Sequence, residues 1–231
     1  MLYVHIRQVQ GYRWIMQSSN AKIGWGLCLQ WVLASILGYG VGTTIGNALA
    51  NLIPAMTCTQ SFSDSFIDRL TNFPCVQPSL GLVVIVIIMG LAGGFMQWLV
   101  LRRRIAGAVW WIPASALGFP IALVLADKAM SLAGDFAAAP ILLGVLFGVL
   151  SGSMPWLVLR RQNARAGWWL PAHLLGALVG GAFGIVAFHS VALMDLYQFT
   201  WAAAGAIFAA GLGAITGIAL VWLLHKSISE A

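Results

Sequence analysis

Long apolar runs broken by short charged clusters set the pattern of this chain. Six runs stand out, at about 25–53, 80–101, 109–126, 137–159, 168–194 and 200–224. Each reaches the roughly 18 residues that cross a hydrocarbon core of about 30 Å as a helix. Backbone groups in lipid must be satisfied within the segment, so each run predicts a transmembrane helix rather than a strand. The expected fold class is therefore all-α, a polytopic membrane protein of six spans. Residues 1–22 form an N-terminal segment, 23–226 the transmembrane domain with a long external loop at 54–79, and 227–231 a short tail.

Charge in the connections alternates from one run to the next. Arg7, Arg13 and Lys22 precede the first run, Arg102, Arg103 and Arg104 follow the second, Arg160, Arg161 and Arg165 follow the fourth, and Lys226 follows the sixth. That places 10 of the 12 basic residues on one side, leaving Arg69 and Lys128 opposite. Asp64, Asp68, Asp127, Asp135 and Asp195 fall on that other side, with Glu230 the exception. Loops rich in Lys and Arg stay in the cytoplasm, so both termini are expected there. Composition excludes a soluble domain: 61% of residues are apolar and 8% charged, where soluble domains carry about 25% charged. The mean hydropathy is +0.91. The basic excess reads as a topogenic signal and a contact with anionic headgroups, about 1 kcal/mol per residue, and not as a nucleic-acid footprint. Ala48, Leu49 and Ala50 form a small-residue site of the signal-peptidase type, but the run before them is too long for a signal peptide. Residues 1–15 differ in character from the rest, and Met16 is an alternative start.

Internal similarity carries the most information. Residues 90–118 and 148–176 agree at 17 of 29 positions, pairing Trp98 with Trp156, Arg102 and Arg103 with Arg160 and Arg161, and Trp110 and Trp111 with Trp168 and Trp169. A weaker third copy lays Trp31, Ala34, Ser35, Leu37 and Gly38 on Trp111, Ala114, Ser115, Leu117 and Gly118. Gly217, Trp222, Leu223, Leu224 and Lys226 loosely echo the end of the second and fourth runs. The expected architecture is three tandem helical hairpins, all in one orientation, around a pseudo-threefold axis. Small residues also recur every four positions, as in Gly38, Gly42 and Gly46 or Gly176, Gly180 and Gly184. That spacing keeps them on one helical face, a glycine-zipper pattern that lets a neighbouring backbone approach.

The pattern W-x-x-A-x-x-L-G, then G-x-x-x-G-x-x-x-W-L-V-L-R-R and W-W, resembles a group of bacterial multi-pass membrane proteins frequent in phototrophic bacteria. The resemblance covers about residues 25–224. It implies an inner (plasma) membrane or an internal photosynthetic membrane, and brings no activity with it. Pro155 stands where the repeat has Gln97, and His173 where it has Ser115. The mitochondrial carriers also have three tandem hairpins, but their P-x-[DE]-x-x-[KR] signature is absent.

The search for chemistry is short. No Asp or Glu falls within the six runs, which argues against a carboxylate proton relay. Ser35, Ser115 and His173 each follow their matched Trp by four residues and would lie at one depth, a candidate polar cluster. With Arg102, Arg103, Arg160 and Arg161, a candidate anion or lipid contact, they would form the mouth of a vestibule. The competing role for the serines is bonding back to their own helix. His173 and His189 are candidate axial ligands for a single haem or chlorophyll, but 16 residues put them about 24 Å apart on a helix, too far to share a metal. Cys58 and Cys75, both in the external loop, are a candidate disulfide, and Cys28 a packed apolar residue. The Trp-Trp pairs read as an interfacial aromatic belt. No nucleophile, base and orienting group fall together, so an enzyme is not expected. A structural or accessory membrane component, packed in the bilayer or against a larger complex, is the leading expectation. A small transporter or channel for a polar or anionic solute along the pseudo-threefold axis is the alternative.

Overall fold

The computed structural model describes residues 24–50, 52, 80–133, 139–161, 165–193 and 197–229. Among these residues it is all-helical, without strands. The helices are α1 (Trp25–Ala50), α2 (Leu80–Leu101), α3 (Trp111–Ala133), α4 (Ala139–Leu159), α5 (Trp169–Leu193) and α6 (Tyr197–Ser229). One-turn 3-10 helices, Ala108–Trp110 and Ala166–Trp168, lead into α3 and α5. Gly107, at φ 67°, makes the left-handed turn before the first of them, a conformation that glycine adopts without steric cost.

Five helices contain apolar stretches long enough to cross a membrane, from 18 residues in Ala108–Leu125 to 26 in Trp25–Ala50. In α4 the apolar stretch among the described residues is the shorter Gly144–Leu159. Two helices outrun the hydropathy signal. The run expected at 109–126 continues through Asp127 and Lys128 to Ala133, and the last run continues through Lys226 to Ser229. Hydropathy marks where lipid ends, whereas a helix stops only where its backbone loses its bonds.

Each helix packs against its neighbours in the chain, and α6 packs against α1, so the six close into a ring. The tightest seams are backbone on backbone. A Cβ built on Gly38 of α1 would stand 2.6 Å from Cα of Gly93 on α2, and one on Gly42 would stand 2.7 Å from Cα of Met89. Gly180 and Gly211 meet in the same way between α5 and α6. Helices that feel no hydrophobic drive within lipid associate through such close van der Waals contact. The opposite face of α1 carries Leu29, Leu33, Leu37, Val41, Ile45 and Leu49, all exposed, in one row at intervals of four. On α1 this row of large aliphatic residues thus faces outward, and the glycine row faces α2.

Pro120 and Pro155 lie inside α3 and α4. Each removes an amide N–H and frees a carbonyl one turn earlier, which a membrane helix tolerates when a neighbour covers the freed group. The carbonyl freed by Pro155 belongs to Ser151, and Gly118 of α3 closes on it, with a built Cβ 3.0 Å from the oxygen.

Candidate functional site

Trp31, Trp111 and Trp169 start the site. They come from the second turn of α1 and from the first residues of α3 and α5, and all three are buried. Their rings meet edge to face, with centroids 5.6 Å apart for Trp31–Trp111, 5.4 Å for Trp111–Trp169 and 6.2 Å for Trp31–Trp169. Edge-to-face contact matches the positive rim of one indole to the negative face of the next. Leu101, Leu159 and Leu220, from α2, α4 and α6, pack into the same cluster. The inside of the ring is filled here with aromatic carbon.

An indole N–H buried in apolar surroundings needs an acceptor. Trp111 Nε1 donates to Gln97 Oε1 of α2 at 2.8 Å. Trp31 Nε1 donates to Thr216 Oγ1 of α6 at 3.0 Å. The corresponding position on α4 is Pro155, which has no side-chain acceptor. Trp169 Nε1 is accordingly the one buried side-chain nitrogen or oxygen among the described residues without a hydrogen-bond partner.

One turn deeper lie the polar residues singled out in the sequence, Ser35, Ser115 and His173, all buried. Ser35 Oγ donates to its own helix at Trp31 O (2.9 Å) and accepts from Gln97 Nε2 (3.0 Å). Gln97 therefore ties α1, α2 and α3 together. His173 Nδ1 lies 3.0 Å from Gly148 O of α4. A carbonyl oxygen only accepts, so Nδ1 carries the proton and Nε2 the lone pair. Ser115 and His173 share a small cavity of about 10 Å³ with Tyr39, Gln97, Pro155, Trp169 and Thr216. Tyr39 and Phe119, with ring centroids 5.3 Å apart, sit one further turn along α1 and α3 and also line this cavity.

The arginines form a separate layer. Arg102 and Arg103, with Arg160 and Arg161, are exposed at the ends of α2 and α4. The Arg102 guanidinium lies over Trp98 at 5.6 Å and that of Arg160 over Trp156 at 5.1 Å, cation–π contacts worth about 0.5–1 kcal/mol when exposed. The tryptophan and leucine cluster stands between these arginines and Ser35, Ser115 and His173. A vestibule joining the two layers would have to pass through it.

The Trp-Trp pairs divide, against the expectation that both members form a belt. Trp110 and Trp168 are each 62% exposed, as interfacial residues are. Trp111 and Trp169 point the other way and build the core. The repeat already held that distinction, since the third matched tryptophan, Trp31, follows Gln30 and not another Trp. Thr216 is one of the few polar residues within the runs, but the internal similarity does not pair it with a tryptophan: the echo in the last run rests on Gly217 and Trp222, and Trp222 meets Trp168 at 6.2 Å. The water-sized space beside His173 does not fit a tetrapyrrole. His189 lies on α5 with its side chain outside the described residues, and Cys58 and Cys75 lie outside them altogether. Cys28 is a buried free thiol.

No protein-family model, curated protein or solved structure matches the chain.

Proposed function

We propose that the chain is a non-enzymatic structural or accessory component of a membrane, a closed six-helix ring built from three tandem hairpins. The supporting observation is the filled axis: Trp31, Trp111 and Trp169 occupy it, and the cavity next to them admits one water-sized body. Gln97, Ser35 and Thr216, which lie beside the tryptophans, are bonded to other helices or to their own. Their chemistry goes into holding helices together. The basic ends of α2 and α4 face the cytoplasm in this reading, with both termini on that side. Arg102, Arg103, Arg160 and Arg161 then contact anionic headgroups, while Trp110 and Trp168 sit at the same interface. The host membrane is a bacterial plasma membrane or an internal photosynthetic membrane.

The convergence of Ser115 and His173 on one cavity favours a second reading, a small transporter or channel for a polar or anionic solute along the pseudo-threefold axis. It requires the three tryptophans to part during each transport cycle. Cross-linking in intact membranes, followed by mild detergent extraction, separates the two. The accessory reading expects a complex of fixed composition with another membrane protein. A lone monomer that carries small anions across proteoliposomes would overturn it.

A further inference from the structure

The two departures from the internal repeat, Pro155 and His173, lie in different helices but line the same cavity. Pro155 leaves a donor unmatched, the Nε1–H of Trp169, which is 1% exposed. His173 leaves an acceptor, because its Nδ1–H is given to Gly148 O and the lone pair stays on Nε2. The two rings are one helical turn apart on α5, with centroids at 5.8 Å. In the other two units the protein supplies the acceptor itself, from Gln97 or Thr216.

We propose that the cavity is a binding site for a single water molecule, which accepts from Trp169 Nε1–H and donates to His173 Nε2. The size fits: a water needs about 10–15 Å³ of such volume, and the cavity provides about 10 Å³. The polarity fits as well. A buried water makes about three hydrogen bonds to groups otherwise unsatisfied, and Ser115, 1% exposed and lining the same space, offers a third hydroxyl partner. The empty alternative leaves an indole N–H in apolar surroundings, at a cost of about 1–3 kcal/mol. Water therefore takes beside Trp169 the place that the Gln97 amide holds beside Trp111. The substitution of Pro for Gln at 155 and of His for Ser at 173 is one coupled change, in which a side-chain acceptor is replaced by a solvent molecule and a ring nitrogen to anchor it.

The test uses the full chain in lipid nanodiscs, with tryptophan labelled at the indole nitrogen and the Trp169 signal assigned through Trp169→Phe. Magnetisation transfer from bound water to indole protons is then recorded by NMR. A cross-peak between water and Trp169 Nε1–H, absent for Trp31 and Trp111, is expected. Pro155→Gln restores the side-chain acceptor and should abolish that peak while the indole proton keeps its hydrogen-bonded shift. His173→Phe, which fills the cavity with carbon, should also abolish it and serves if the first variant does not fold. A wild-type Trp169 without the cross-peak overturns the proposal, and so does a peak that survives either substitution.

Discussion

Alanine at Gly38 isolates the seam that joins α1 to α2. The added methyl would stand 2.6 Å from Cα of Gly93, 2.9 Å from the Ala92 carbonyl oxygen and 3.1 Å from the Gly93 nitrogen. Carbon atoms rest about 3.5–4.0 Å apart, so the helices must separate by about 1 Å. All three obstacles are backbone, and no side chain can swing aside to relieve them. The disturbance also spreads, because Gly42 and Gly46 hold the next two turns of the same seam against Met89 and Ile85. A gap of 0.5–1 Å forfeits about a quarter to a half of each dispersion contact, and overpacking of this kind costs about 1–3 kcal/mol. Burying the methyl returns almost nothing, since lipid is as apolar as the seam. Helix propensity returns at most about 1 kcal/mol. The net expectation for Gly38→Ala, with the full propensity return subtracted, is a loss of up to about 2 kcal/mol. Gly181 on α5 is the control, for a Cβ there meets nothing within 4 Å. Gly181→Ala keeps only the propensity gain and should be neutral to about 1 kcal/mol more stable. Reversible unfolding in mixed micelles of rising SDS fraction, followed by far-ultraviolet circular dichroism, measures both. Equal stability of Gly38→Ala and Gly181→Ala would refute the steric account.

Gln97→Leu removes partners from both Trp111 and Ser35 and should cost about 1–3 kcal/mol; Thr216→Val removes one acceptor and should cost about 0.6 kcal/mol, with a ceiling near 1.7. The same micelle titration ranks them, and equal losses would deny Gln97 its bridging role. A Cys58–Cys75 disulfide should stabilise the external loop by about 3 kcal/mol in the chain-entropy model. Thiol labelling of denatured, unreduced protein would then mark Cys28 alone, and three labelled thiols would remove the bond. Reporter fusions after Lys22, Arg104, Arg165 and Lys226 should all read cytoplasmic, and an external signal at Arg104 or Arg165 would reverse the topology.

The helices were legible because lipid imposes one rule on every residue of a span, so that hydropathy alone finds Leu80–Leu101 to the residue. It fails at Asp127 and Lys226, where the backbone stays helical after the apolar stretch has ended. The match of Trp31, Trp111 and Trp169 was visible in the internal similarity, as was the change at 155 and 173. Their meaning was not, since similarity equates positions without saying which way they face. Ser35 illustrates the limit. Its bond to Trp31 O follows from helix geometry, whereas its bond from Gln97, 62 residues away, depends on a helix seam that no local pattern encodes. Thr216 is farther still from anything periodic, a single hydroxyl whose role exists only once α6 lies beside α1.

That last contact has a consequence in time. Trp31 and Thr216 are 185 residues apart, and a ribosome adding about 5–20 residues per second needs about 10–40 s to cover that distance. Throughout this interval the first helix waits in the membrane with one side engaged by α2 and the other open. Its indole N–H has no native acceptor until the final helix arrives. The ring therefore closes only once α6 is made, and a chain interrupted before α6 carries the mark of its incompleteness on α1. The α6-facing side of α1, with Gly40, Thr43 and the edge of Trp31, forms that mark, a surface that a membrane chaperone or protease can read as unfinished and that the finished protein hides.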